Sequence, residues 1–133
     1  MSTEQTIFIV DDEPAVAKAV SRLLRASGYT TLVFGSAQEF MDSYEPGTSG
    51  CLVADFSMPE ICGQDLQKRL ADLGHRMPIV FVTGIDDLTL ETERAMIMDG
   101  AVGILKKPVN PAVLLGAIEE ALARDREVRG AEI

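Results

Sequence analysis

Apolar residues in this chain gather in five short blocks: TIFIV (6–10), TTLVF (30–34), CLVAD (51–55), PIVFVT (78–83) and VGILK (102–106). Four of the blocks are continuously apolar rather than alternating, which suits strands covered on both faces of a parallel sheet. TTLVF begins on two threonines and is the candidate edge strand. The stretches between the blocks carry helical spacing. In residues 14–26, Val16, Val20, Leu23 and Leu24 face one way and Lys18, Arg22 and Arg25 another, with Gly28 as a stop. SAQEF (36–40) has the form of a capping box, with Ser36 at the N-cap and Glu39 at N3. Residues 64–73 place Leu66, Leu70 and Leu73 before Gly74, and residues 89–98 place Leu90, Ala95, Met96 and Met98 before Gly100. A last helix starts with Asn110 as N-cap and Pro111 at N1. Its apolar stripe is Val113, Leu114, Ala117, Ile118, Ala121 and Leu122.

The order is strand–helix repeated five times. Right-handed crossovers then imply a doubly wound α/β fold, a parallel sheet with helices on both faces. After Arg124 the chain reads DREVRGAEI, charged and nearly without core residues, as at a frayed helix end or the start of a linker. The 133 residues, 47% hydrophobic and 25% charged, are enough for one domain with a real core. A net charge of −9 argues against direct nucleic-acid binding, which needs clustered Lys and Arg. No apolar run approaches the roughly 20 residues of a membrane span. The opening MSTEQ carries no basic residue and leads into nothing resembling a signal peptide, so a cytoplasmic location is expected. Cys51 and Cys62 lack metal-site spacing and are expected to be reduced thiols. His75, the one histidine, lies in LGHRMP and is expected in a loop.

Charge matters more by placement than by sum. Asp11, Asp12 and Glu13 follow directly on the first apolar block, where adjacent carboxylates repel as the chain leaves a core. Ligands of open α/β sheets bind at the carboxyl ends of the strands. Those ends carry Asp11 and Asp12, then Asp55, then Thr83 and Gly84, then Lys106, Lys107 and Pro108. A lone strand-end Asp is more often a helix cap than a site. Three carboxylates, a hydroxyl and an ammonium arriving at one sheet edge from four places in the chain are a stronger signal.

The segments VDDEP, ADFSMPEICG, FVTG and LKKP, in that order, resemble the receiver domain of two-component response regulators. DFSMPEICG is similar to that family's D-x-x-M-P-x-x-x-G signature, and FVTG with DGAVGILKKP is most similar to the NarL/FixJ-type subgroup. The resemblance covers about residues 5–125, leaving 126–133 as a C-terminal tail or the start of a linker to an output domain. It implies a flavodoxin-like, five-stranded parallel sheet of order 2-1-3-4-5 with five helices on both faces. It also implies a Mg2+ site: Asp12, the Asp55 carboxylate and the Ser57 backbone carbonyl as ligands, with Asp11 acting through water. A +2 ion would offset the repulsion among the acids. Asp55 would be the phosphoacceptor, receiving phosphorus from a histidine kinase or a small acyl phosphate. Lys107, directly before the proline, would balance charge on the transferring group, while Lys106 would point to the opposite face. Pro108 matches a family position with a cis peptide bond. The Thr83 hydroxyl would move to the new phosphoryl group, with room left by Gly84, and Glu13 would help start the first helix. Such a domain is a switch, not an enzyme in the ordinary sense: it catalyses only its own phosphotransfer and dephosphorylation.

Three features depart from the family pattern. Ile104 replaces the usual aromatic residue three positions before the lysine. The stretch from Thr83 to Lys107 looks about two residues longer than the family pattern, within GIDDLTLET. Ile85, two positions beyond Thr83, offers nothing to orient a hydrolytic water. The alternative is a degenerate receiver that binds partners without phosphorylation, which the complete Asp11, Asp12, Asp55, Thr83 and Lys107 set argues against. A phosphohydrolase of the haloacid dehalogenase type also uses an Asp nucleophile with Mg2+. It would need D-x-D-x-[TV] after the first strand, and DFSM lacks the second Asp. An apolar face formed by Met96, Ile97, Val102 and Ile104 is either core or a phosphorylation-dependent dimer contact. Slow loss of phosphate is expected from Ile85: Ile85→Glu should shorten the acyl-phosphate lifetime measured by intact mass, and equal lifetimes would remove the idea.

Overall fold

Ten elements follow in strict alternation in the structure, a computed structural model that describes residues 5–131 except 46, 59, 75, 76 and 85–87. The readings made for His75 and Ile85 lie outside the described residues. The strands are β1 (Thr6–Val10), β2 (Thr30–Phe34), β3 (Gly50–Asp55), β4 (Ile79–Thr83) and β5 (Gly103–Lys106). The helices are α1 (Pro14–Ala26), α2 (Ala37–Ser43), α3 (Gly63–Asp72), α4 (Leu90–Met98) and α5 (Pro111–Ala131). All neighbouring strands pair in parallel, in the order β2-β1-β3-β4-β5.

The continuous apolar runs are the central strands. Every residue of β3 and β4, and all of β1 but Thr6, is buried. Their side chains alternate between two cores. On one face Phe8, Val10, Leu52, Ala54, Ile79 and Phe81 pack with Phe40 of α2, Leu66 and Leu70 of α3 and Met96 of α4. On the other, Ile7, Ile9, Cys51, Val53, Val80 and Val82 pack with Ala17 and Leu24 of α1 and with Leu114 and Ile118 of α5. β2 and β5 are the two edges, and Leu32 and Val33 in the middle of β2 are 52% and 44% exposed. Cys51 is buried, and burial, reinforced by the Asp125 charge, pushes its thiol up to about 12, where thiolate chemistry stops. Among the described residues no helix is long and apolar enough to cross a membrane.

The helix ends follow the sequence signals with two refinements. Asn110 caps α5 by accepting from the N–H groups of Ala112 (2.9 Å) and Val113 (3.3 Å). Ser36 caps α2 by accepting from the Glu39 N–H at 3.1 Å, but Glu39 reaches back to the Gly35 N–H, one residue before the cap. The buried line of α1 is Ala17, Ser21 and Leu24, one residue on from Val16, Val20 and Leu23, which are half-buried; of the expected face Leu24 is the member fully buried. The shift brings the small Ser21 hydroxyl to Thr31 on β2, with which it shares a 2.9 Å hydrogen bond.

Past Arg124 the chain is less bare of core contacts than its composition suggests. α5 continues to Ala131, and Asp125 is 2% exposed. Its Oδ2 accepts from Ser49 Oγ (2.8 Å), the Gly50 N–H (3.0 Å) and Gln5 Nε2 (3.0 Å), while Arg126 donates to Gln5 Oε1 at 2.7 Å. A carboxylate with several donors is stable where a bare one would not be. This network joins the start of β1, the start of β3 and α5 at the pole opposite the strand ends that carry Asp11 and Asp55. Gly50 is held there at φ +145°, where an added Cβ would lie 1.8 Å from the Thr6 carbonyl oxygen. Asp125→Ala leaves three donors without their acceptor and should lower the unfolding free energy by about 2–4 kcal/mol. A fall in the urea midpoint at unchanged slope is the expected reading.

Candidate functional site

The parallel sheet brings the carboxyl ends of β1, β3, β4 and β5 to one rim, and the register fixes which residues meet there. Val10 pairs with Ala54, Asp55 with Val82, and Thr83 with Lys106. Asp11 therefore leaves β1 next to the level of Asp55. Carboxylate oxygens of Asp11, Asp12 and Asp55 all lie within 4.8 Å of one another. Asp11 and Asp55 are 6% and 5% exposed, while Asp12 faces solvent. The Glu13 N–H donates to Asp11 Oδ1 (2.9 Å) and the Ser57 N–H to Asp55 Oδ1 (3.1 Å), so each acid is oriented by the backbone two residues on.

Lys107 closes the group. Its ammonium donates to Asp55 Oδ2 at 3.0 Å and stands 4.0 Å from Glu13 Oε1. Lys106 points into solvent, as alternation requires. The Lys107–Pro108 peptide is cis. Glu13 occupies the N-cap position of α1, but its side chain makes no cap bond and instead faces Lys107. Thr83 is 1% exposed, its hydroxyl donating to the Gly84 carbonyl at 3.2 Å. The site residues named from the sequence thus share this rim: Asp11, Asp12, Asp55 and Lys107 in one cluster, Ser57 tied to Asp55 through its N–H, and Thr83 at the end of the neighbouring strand.

The electrostatics are set by burial against a single cation. Burial is the largest influence on Asp11 and, with the Asp55 and Asp12 charges, lifts its carboxyl above the ordinary value despite the Glu13 N–H and Lys107. Burial by itself would pull Lys107 down; the Asp55 hydrogen bond and charge, with Asp11 and Glu13, outweigh it and leave the ammonium held above its usual range. Oxygen donors crowded in this way suit a small, hard dication. Below the rim, a cavity of about 570 Å3 between α1 and the start of α5 reaches Asp11, Asp55 and Lys107 from an apolar side lined by Val16, Val20 and Val109. The linear pattern gave no sign of it, because it forms where Ala15 and Ala19 leave α1 thin.

Gly63 closes the loop after Asp55. Its N–H donates to the Phe56 carbonyl at 2.8 Å, and a Cβ there would lie 2.6 Å from the Phe81 ring. Only glycine lets this loop lie against β4. Ile104 sits beside Phe81 on β5, half-buried against the core that contains Met96. Met96 itself is fully buried, which settles it as core, whereas Ile97 is 47% exposed.

Comparison with known proteins gives a consistent picture. The family model described as "Response regulator receiver domain" matches residues 7–119. Nodulation protein W of Bradyrhizobium diazoefficiens is 39% identical over 131 residues, 98% of this chain and 57% of that protein. Transcriptional regulatory protein FixJ of Azorhizobium caulinodans is 34% identical over 121 residues, 91% of this chain and 56% of its own length. The solved structure of response regulator StyR superposes with a TM-score of 0.91 at 38% identity, over 97% of this chain and 64% of that one. This chain spans about half the length of the relatives it matches.

A carboxylate raised in the folded state destabilises it as pH climbs from the unfolded value through the folded one. In metal-free buffer Asp11→Asn should therefore raise stability at neutral pH, on the order of 1 kcal/mol. The gain should vanish below pH 3.8, the ordinary value, where both states are protonated. Urea titration of both proteins across that range measures the difference.

Proposed function

The chain belongs to the response regulator receiver domains of two-component signalling, and from that premise we propose that Asp55 is its phosphoacceptor and that phosphorylation switches the surface formed by α4 and β5. A carboxylate oxygen of Asp55 attacks the phosphorus of a phosphohistidine on a histidine kinase. The P–N bond breaks, its electrons stay with the imidazole, and an aspartyl phosphate remains. Small acyl phosphates would serve as donors in the same way, with a P–O bond breaking.

The observation that carries this reading is the pair Lys107 Nζ–Asp55 Oδ2 at 3.0 Å, beside two further carboxylates within 4.8 Å. Lys107 is placed to follow negative charge as it moves onto the transferring group. Asp12, Asp55 and the Ser57 carbonyl would hold Mg2+, with Asp11 through water; carboxylate oxygens of Asp11, Asp12 and Asp55 within 4.8 Å of one another suit such an ion. When bound, Mg2+ supplies positive charge that screens the acids and the arriving phosphoryl oxygens. The Thr83 hydroxyl, now on the Gly84 carbonyl, would turn to the phosphoryl group and draw the segment toward α4 with it.

Residues 5–125 would be the receiver and 126–133 the start of a linker, since the matched relatives run to about twice this length and include a transcriptional regulator. The output would then be control of transcription by a domain beyond this chain, with a homodimer through α4 and β5 as the phosphorylated form. A receiver that signals without phosphorylation is favoured by one residue, Ile104, which cannot swing as an aromatic ring would. Incubation with acetyl phosphate and Mg2+, followed by intact mass, decides between the two. One added phosphoryl group in the wild type, absent in Asp55→Asn and without Mg2+, is expected; no mass gain in the wild type would leave the phosphorylation-independent reading.

A further inference from the structure

Among the described residues, the side-chain hydrogen bond from α3 to α4 lies at the C-terminal end of α4, while Leu88, before its first turn, is partly buried against the core. Of its side chains only Met96 is fully buried; Leu90, Ile97 and Met98 are 63%, 47% and 86% exposed. Its C-terminus closes in a Schellman turn: the Gly100 N–H donates to the Ile97 carbonyl (3.0 Å) and the Ala101 N–H to the Met96 carbonyl (3.0 Å), with Gly100 at φ +107°. The Met96 carbonyl accepts a second bond, at 3.0 Å, from Nε2 of Gln67 on α3. At the other end the Thr89 hydroxyl caps its own turn, accepting from the Thr92 N–H at 3.1 Å and donating to the Thr92 hydroxyl at 3.0 Å.

Gln67 is an unusual anchor. It is 7% exposed, and its Oε1 is buried with no hydrogen-bond partner among the described residues. An unsatisfied buried acceptor is unfavourable, and the amide cannot turn over without facing oxygen to the Met96 carbonyl. Beside it, α3 and the C-terminal end of α4 leave an open cavity of about 520 Å3 lined by Leu70, Met77 and Ile79 and by the polar Lys68, Asp72 and Asp99. Met98 lines the same cavity while most of its side chain stands in water. A flexible, apolar side chain at the mouth of a cavity it does not fill marks a second packing within reach.

We propose that Gln67 is a latch, a positioning residue whose bond to the Met96 carbonyl holds α4 in its resting arrangement. Opening the latch lets α4 turn so that Met98 enters the α3–α4 cavity. The inference rests on the phosphoacceptor reading, since it supplies the element that phosphorylation at Asp55 would bias. The resting arrangement carries an orphan acceptor and an unfilled cavity, and the Gln67–Met96 bond offsets both. By linkage, whatever weakens the latch tightens binding of a ligand that favours the turned arrangement.

The test uses beryllofluoride with Mg2+ as the phosphoryl mimic, titrated by NMR into wild type, Gln67→Leu and Met98→Ser. Gln67→Leu removes the amide that bonds the Met96 carbonyl and leaves an apolar side chain one atom shorter; because that bond outweighs the orphan acceptor lost with it, the resting arrangement loses stability. The substitution should tighten beryllofluoride binding about two- to tenfold, the reach of one hydrogen bond. Met98→Ser, at a solvent-facing position, withdraws the group that fills the cavity and should weaken binding. No binding by the wild type removes the phosphoacceptor reading and the latch with it. Binding by the wild type with the same affinity in Gln67→Leu overturns the latch alone, and the same affinity in Met98→Ser overturns the cavity-filling step.

Discussion

The constraint on which the molecule turns is the crowding of negative charge at the rim of a buried sheet. Asp11 and Asp55 are nearly inaccessible to water, so neither is screened as a surface acid is. One ammonium, Lys107, stands among them. A fold seeking only stability would replace one of the acids. Keeping them leaves a local field of negative sign, which favours cations at this rim. The parallel architecture makes this crowding unavoidable once the acids are written at strand ends, because every strand points the same way and delivers its last residue to the same rim.

Much of the fold is legible because the central strands are read by both cores. Residues such as Ile7 and Phe8 are neighbours in the chain yet serve opposite layers, so β1, β3 and β4 appear as unbroken apolar runs. β2 betrays itself as an edge by its threonines. The phase of α1 is harder to read, since its deepest positions are Ala17 and Ser21, small residues that count for little in an apolar pattern but allow the helix to sit close to β2. Asp125 is invisible for a related reason. In DREVRG it looks like one more solvated charge, and only the meeting of β1, β3 and α5 supplies its three donors.

The candidate site follows the same division. Asp11, Asp12 and Asp55 could be placed together from the sequence because strand ends decide position; the two-residue period sends Lys106 and Lys107 to opposite faces, and the resemblance to the family's lysine before proline selects Lys107. Glu13 stands at the N-cap of α1, where a negative charge suits the dipole, and it also faces Lys107 at 4.0 Å, a contact between loops that no local rule specifies. Gln67 gave no signal, for a glutamine on an amphipathic helix is ordinarily a surface residue, and its burial depends on where α4 ends.

That dependence points to how the rim and a distant helix can be connected. β1, β3 and β4 are packed on both faces and pinned by their neighbours, so a new charge at Asp55 meets no compliance there. The edge strand β2 is looser but lies on the far side of β1. α4 differs from both: it follows the segment after Thr83, holds by one buried methionine, and makes its long-range bond at the end away from the site. A displacement entering at Leu90 therefore works against one buried side chain and one side-chain amide rather than against a fully buried helix face. Compliance confined to one helix, in a domain otherwise closed on both faces, gives a local change of charge a defined direction in which to act.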